Sequence, residues 1–178
     1  MNYIEKNAII SECGTYRYSL ARIWERGRKL VLFVGLNPST ADAYSDDPTI
    51  RRCVGFAQSW GFGGLIMCNM FTFRCTDPEE IPATANLNGP LWLPSIMTCC
   101  LCCDLAICCW GAHRLAARQY DFANLIEKLM HKRPSCLGLT KNGSPKHPLY
   151  LRKDCQPILF PRERPDELRT HQIRGENT

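Results

Sequence analysis

Three short apolar runs separated by helical patterns constrain this chain most. They are residues 30–35 (LVLFVG), 65–70 (LIMCNM) and 105–110 (LAICCW). Continuous runs of this length, rich in branched side chains, read as strands buried on both faces. Between the first two, Asp47-Pro48 opens a helix, with an acid at the N-cap and proline at the first helical position. Ile50, Val54 and Ala57 follow at helical spacing as far as Trp60, and Gly61, Gly63 and Gly64 stop it. Asp77-Pro78 starts a short helix, and residues 91–103 predict a longer one with Pro94 in its first turn. Residues 114–132 form an amphipathic pattern carrying Leu115, Tyr120, Phe122, Leu125, Ile126 and Leu129. A fourth short strand is expected over 136–139, before the turn signal Lys141-Asn142-Gly143-Ser144. The early segment ISECGTYRYSL reads as a small hairpin or extended arm around Gly14. Strands alternating with helices predict an α/β fold: three α/β/α layers around a mainly parallel sheet. The length suits one domain, placed over residues 1–160, with 161–178 as a charged, flexible tail.

Composition narrows the classes. Hydrophobic residues at 45% and charged residues at 22% describe a globular chain. No apolar run reaches the roughly 18 residues of a membrane span. The start, MNYIEKNAII, lacks a basic stretch followed by a long apolar one, so no secretory signal is expected. A cytoplasmic protein with 12 free thiols follows. The net charge of +5 permits a polyanionic partner without requiring one. Six cysteines cluster at 99, 100, 102, 103, 108 and 109. Their C-x2-C pairs overlap on one predicted helix, where adjacent side chains point apart, so core packing is expected rather than a metal. No cofactor is expected.

In parallel sheets flanked by helices, ligands bind outside the carboxyl ends of the strands. Polar groups sit at each predicted exit. Asn37, Pro38 and Ser39 follow the first strand. Asn69 and then Phe71 end the second. Gly111 and His113 follow the third, and Lys146 and His147 the fourth. Arg51 and Arg52 fall in the first turn of a helix, where the dipole disfavours cations. They call for an anion, either a carboxylate such as Asp46 or a ligand phosphate. Asp47 is expected to cap the helix. The candidate site residues are therefore Asn37, His147, Pro38, Ser39, Asn69, Phe71, Arg51, Arg52 and Asp46. His113 and His131 are read as surface residues.

The strings GLNPSTADAYSDDPTIRRC, WGFGGLIMCNMF, WGAH and CLGLTKNGSPKHPLYL resemble a bacterial and phage family of unknown function. More distantly, the chain is similar to the uracil-DNA glycosylase superfamily. Gly35-Leu36-Asn37-Pro38-Ser39 resembles that superfamily's first-strand loop, Asn69 its strand-end asparagine, Trp110-Gly111 its later strand end, and His147-Pro148 its closing loop. The resemblance implies a glycosylase-type fold and an N-glycosidic hydrolase acting on a base, nucleoside or nucleic acid. Asn37 would orient water, Asn69 would read the base, Phe71 would stack on it, and His147 would stabilise the departing anion. Two departures narrow the partner. The closing loop continues Leu149-Tyr150 rather than Ser-Pro, and residues 42–47 are acidic, which repels phosphates. The expected partners are a nucleotide, a nucleoside or DNA, with no membrane. A non-catalytic nucleotide or nucleic-acid binding module on the same fold is the alternative.

Overall fold

The structure is a computed structural model and describes residues 2–163. Of the expected tail, residues 164–178 lie outside the described residues. Seven strands form one sheet: β1 (Glu5–Ile10), β2 (Arg17–Ile23), β3 (Leu30–Gly35), β4 (Gly64–Asn69), β5 (Leu105–Cys108), β6 (Ser135–Cys136) and β7 (Ile158–Leu159). Their spatial order is β1-β2-β4-β3-β5-β6-β7. The central strands β4, β3, β5 and β6 run parallel. β1 and β2 add an antiparallel hairpin beside β4, and β7 adds an antiparallel strand beside β6. The expected mainly parallel sheet is thus parallel at its centre and antiparallel at both edges. β7 was not expected, because two ladder residues carry no periodic signal. The fourth strand lies one residue earlier than expected and is shorter, since Gly138 turns the chain at a φ of 121°.

Helix α1 (Pro48–Ser59) starts as read: Asp47 Oδ1 accepts from the Ile50 amide at 2.8 Å, with Pro48 in the first turn. Past its end, Gly61 takes a φ of 80° that a side chain would strain. Helix α2 (Trp92–Cys102) also falls where expected. The single helix expected over 114–132 is instead a tight 3-10 turn, Arg114–Arg118, kinked at Ala116, followed by α3 (Gln119–Met130). His113 is half-buried rather than on the open surface. It caps that turn through Nδ1 and pairs with Glu79 at 2.9 Å.

Strand alternation divides the core. Val31 and Phe33 of β3, Leu65 and Met67 of β4, and Ile107 and Cys109 pack with Ile50, Cys53 and Phe56 of α1. Leu32, Val34, Cys68, Ala106 and Cys108 face the opposite way and pack with α2 and α3. Three layers result. Each fully buried side chain contributes on the order of 1.5–3 kcal/mol. Of the cysteine cluster, Cys99, Cys100, Cys103, Cys108 and Cys109 are buried in these cores, while Cys102 is exposed. Burial pushes the Cys53 and Cys108 thiols up, so they stay protonated.

Chain order opens a crevice at the strand ends. From β3 the chain passes through α1 to β4 on one side. From β4 it passes through α2 to β5 on the other side of β3. The carboxyl ends of β3 and β5 therefore diverge into a crevice, the topological switch point at which such sheets bind ligands.

Candidate functional site at the strand ends

A cleft of about 400 Å³ occupies that crevice. It is a size that accommodates a nucleobase-sized or nucleoside-sized ligand. Gly35, Leu36 and Asn37 from the β3 exit, Asn69 from the end of β4, and Cys109 and Trp110 from the β5 exit line it. Ser39, Asp47, Thr76, Cys75 and His147 are among the residues that form the walls, and Arg17 lies on the β2 side. Of the sequence candidates, Asn37, Ser39, Asn69 and His147 thus meet in one place.

The orientation of each polar group follows from its partners. Asn37 Nδ2 donates to the Cys75 carbonyl at 2.8 Å and to the Pro38 carbonyl at 3.3 Å. Its amide protons serve the loop, and Oδ1 is left as an acceptor. Pro38 is buried and supports this loop, accepting from the Cys75 amide at 2.9 Å. Asn69 is 5% exposed. Its Oδ1 accepts from Arg17 Nη2 at 3.3 Å, which is the orientation a guanidinium imposes, because it only donates. Asn69 Nδ2 makes no hydrogen bond among the described residues and lies over Gly35. A Cβ at Gly35 would come within 2.6 Å of that nitrogen, so glycine is what admits the amide.

His147 Nδ1 accepts from the Leu149 amide at 3.4 Å. In the neutral ring the proton then sits on Nε2, which is left as a donor. Burial lowers the His147 pKa from its ordinary 6.5, and the Asp47 charge only partly opposes this. The ring is therefore neutral at pH 7. Asp47 lines the cleft and spends Oδ1 on its helix cap, while Oδ2 accepts no hydrogen bond among the described residues.

The remaining sequence candidates lie elsewhere, for identifiable reasons. Phe71 does not line this cleft; it borders a separate groove with Met70, Trp92, Leu115 and Leu125 on the α2–α3 side. Two residues past Asn69 the chain has left the sheet, so strand alternation no longer sets its side, and its amide is held by the Leu36 carbonyl at 2.9 Å. Asp46 pairs with neither Arg51 nor Arg52 through its carboxylate. It accepts from Arg22 Nε at 2.7 Å and from the Tyr3 hydroxyl at 2.6 Å. Arg51 donates to the Asp46 backbone carbonyl. Arg52 stacks over the Phe56 ring at 4.9 Å and donates to the Pro148 and Leu151 carbonyls. It clamps the loop that carries His147, so it acts on the cleft through position alone.

Sequence reading missed Arg17. It is 3% exposed, donates to the Ala41 carbonyl at 2.8 Å and to Asn69, and forms no ion pair within 4 Å among the described residues. Its Nε is buried without a partner. Desolvation lowers its pKa to about 10, which leaves it charged at neutral pH. A buried cation with unmet donors costs several kcal/mol unless something offsets it. The only sequence signal was an arginine inside an otherwise strand-like run.

Fold and cleft together define a three-layer α/β domain with a ligand-sized crevice at its switch point, apolar over most of its surface with a few polar groups set into it. Residues 17–149 match the model of the family described as "Protein of unknown function (DUF1643)", and the chain belongs to that family. The matched span runs from the buried guanidinium of Arg17 to the lip of the cleft at Leu149. No curated protein and no solved structure matches the chain. No described helix is long and apolar enough to cross a membrane.

Proposed function

We propose that the protein is a hydrolase of N-glycosidic bonds acting on a nucleoside or nucleotide, of the kind its resemblance to uracil-DNA glycosylases implies. One observation carries the reading: a single cleft holds Asn37, Asn69, neutral His147 and a carboxylate, Asp47, with a buried cation behind them. Breaking a C1′–N bond leaves positive charge on the sugar and negative charge on the base. Donors fixed where the negative charge develops lower that barrier. Asn69 Nδ2 and His147 Nε2 are such donors. Asn37 Oδ1 orients the attacking water, and Asp47 takes its proton, which an amide is too weakly basic to do. Water oxygen bonds to C1′, the base departs with the electron pair of the broken bond, and it regains a proton from solvent.

The pocket walls favour a small substrate. Of the two arginines read as phosphate candidates, Arg52 is committed to the Pro148 and Leu151 carbonyls and Arg51 donates to the Asp46 carbonyl. The test is base release from a panel of nucleosides, nucleotides and DNA carrying uracil, mismatched thymine or modified pyrimidines. Wild-type protein is expected to release base from a nucleoside or nucleotide, and Asn37→Ala to lose most of that turnover. No release from any substrate by folded protein would sink the hydrolase and leave a nucleotide-binding cleft, the role of the alternative reading.

A further inference from the structure

We propose that the cleft holds its heterocycle as a ring anion, with Arg17 as the counter-charge acting through Asn69. This rests on the reading of the cleft as a heterocycle site, and it goes further by fixing the ionisation state that the site selects. Three observations lead to it.

First, the cation is unmatched. Arg17 is buried at the back of the cleft, lacks an ion-pair partner among the described residues, and leaves Nε without an acceptor. The charges around it do not cancel it by contact. Asp47 at the start of α1 and Asp42 in the preceding loop act at longer range, and Arg74 and Arg22 add positive charge. Asp42 is itself occupied, since its Oδ1 accepts from the Tyr44 and Ser45 amides, both at 2.8 Å. His147, across the cleft, is neutral.

Second, Asn69 is held with its donor free. A free carboxamide offers a donor and an acceptor side by side. Here Oδ1 accepts from Arg17 at 3.3 Å, and Nδ2 makes no hydrogen bond among the described residues. A guanidinium on the far side of the amide polarises it and strengthens that donor toward an anion, a cooperative effect favoured at low dielectric. Third, His147 also offers a donor, at Nε2. Both groups therefore ask for an acceptor, and the buried charge behind them asks for a negative one. Among flat heterocycles this describes the deprotonated form of a lactam or imide ring, in which oxygen and ring nitrogen share the charge.

The experiment is calorimetric titration at one neutral pH with two ring acids of nearly equal size, uracil and 5-fluorouracil, the latter being the stronger acid. If the anion is what binds, 5-fluorouracil binds more tightly, by about tenfold for each pKa unit separating the two acids. In Arg17→Met that preference collapses toward unity, and in Arg17→Lys, which restores a charge, the order returns. Equal affinities in the wild type, absence of binding by either ring, or an unchanged preference in folded Arg17→Met overturns the proposal. Should Arg17→Met fail to fold, the wild-type pair and Arg17→Lys still decide, because a purely structural arginine gives no dependence on ligand acidity. The outcome is separable from the hydrolase reading. Turnover without acid preference sinks this proposal alone, and acid preference without turnover sinks hydrolysis alone.

Discussion

Two arginines on the same strand, β2, are both buried, and their surroundings differ. Arg22 is fully enclosed and meets acceptors with each of its nitrogens. Nε donates to Asp46 at 2.7 Å, Nη1 to the Ala21 carbonyl at 2.8 Å, and Nη2 to the carbonyls of Asp42 and Ser45. Asp46 is held in turn by the Tyr3 hydroxyl. That cluster ties the edge hairpin to the loop ahead of α1, and its charge is neutralised within the protein. Arg17, five residues earlier, has two acceptors, no carboxylate in contact and an orphaned Nε, and it borders the cleft. Chemically identical side chains thus do different work. The satisfied one ties the hairpin to the loop ahead of α1, and the unsatisfied one sets a buried positive charge at the edge of the cleft.

The largest expected effect comes from making the same substitution at both positions. Arg22→Met strands the Asp46 carboxylate and should cost about 3–5 kcal/mol in denaturant unfolding. Arg17→Met strands no charge, and removing a buried, unpaired guanidinium offsets the two hydrogen bonds it loses, so its destabilisation should fall well below that of Arg22→Met. Equal losses at the two sites would make Arg17 as structural as Arg22 and erase the contrast.

A smaller effect is expected at Asp47, which combines both kinds of work. Asp47→Ala removes a helix cap worth about 1 kcal/mol, and it should abolish base release far beyond what that loss of stability explains. Asp47→Asn sharpens the point, since it keeps the cap and loses only the proton acceptor. Turnover by Asp47→Asn at the wild-type rate would return Asp47 to a capping role alone.

The smallest effect concerns His147. Its folded pKa lies below the ordinary 6.5, so the unfolded chain takes up the proton first as pH falls. The contribution to stability is intact above about 6.5 and is lost below it, as pH falls towards the folded value. Unfolding followed from pH 8 to 5 should therefore show a decline that His147→Gln flattens. An unflattened decline would place the titrating group elsewhere.

Much of the cleft was legible because strand exits are local features. Asn37 follows an apolar run that ends in glycine, Asn69 ends another, and His147 precedes a proline. Each marks a point where the chain must leave the sheet. The misplaced candidates were the ones whose partners are distant in sequence. Arg52 reaches Leu151, and Asp46 reaches Arg22 and Tyr3, through pairings that no window of sequence contains.

By itself the sequence determined the strand–helix alternation, the capped start of α1, the division of apolar residues between two faces, and hence a crevice at the carboxyl ends of the strands. These follow from periodicity and capping, which act over a few residues. Only the tertiary structure decided which way Arg17 points. Ile9 pairs with Ser19 and Ile10 with Arg17, so Tyr18 is an extra residue in β2. A bulge of this kind reverses the alternation of sides. It turns Arg17 onto the α1 face, which Leu20 shares, and into reach of Asn69 on the neighbouring strand β4. Counting by twos from Leu20 would have sent it to the opposite face. The bulge is a property of how β1 and β2 register against each other. That register is settled by the packed sheet, and with it the one buried charge that the cleft leaves unmatched.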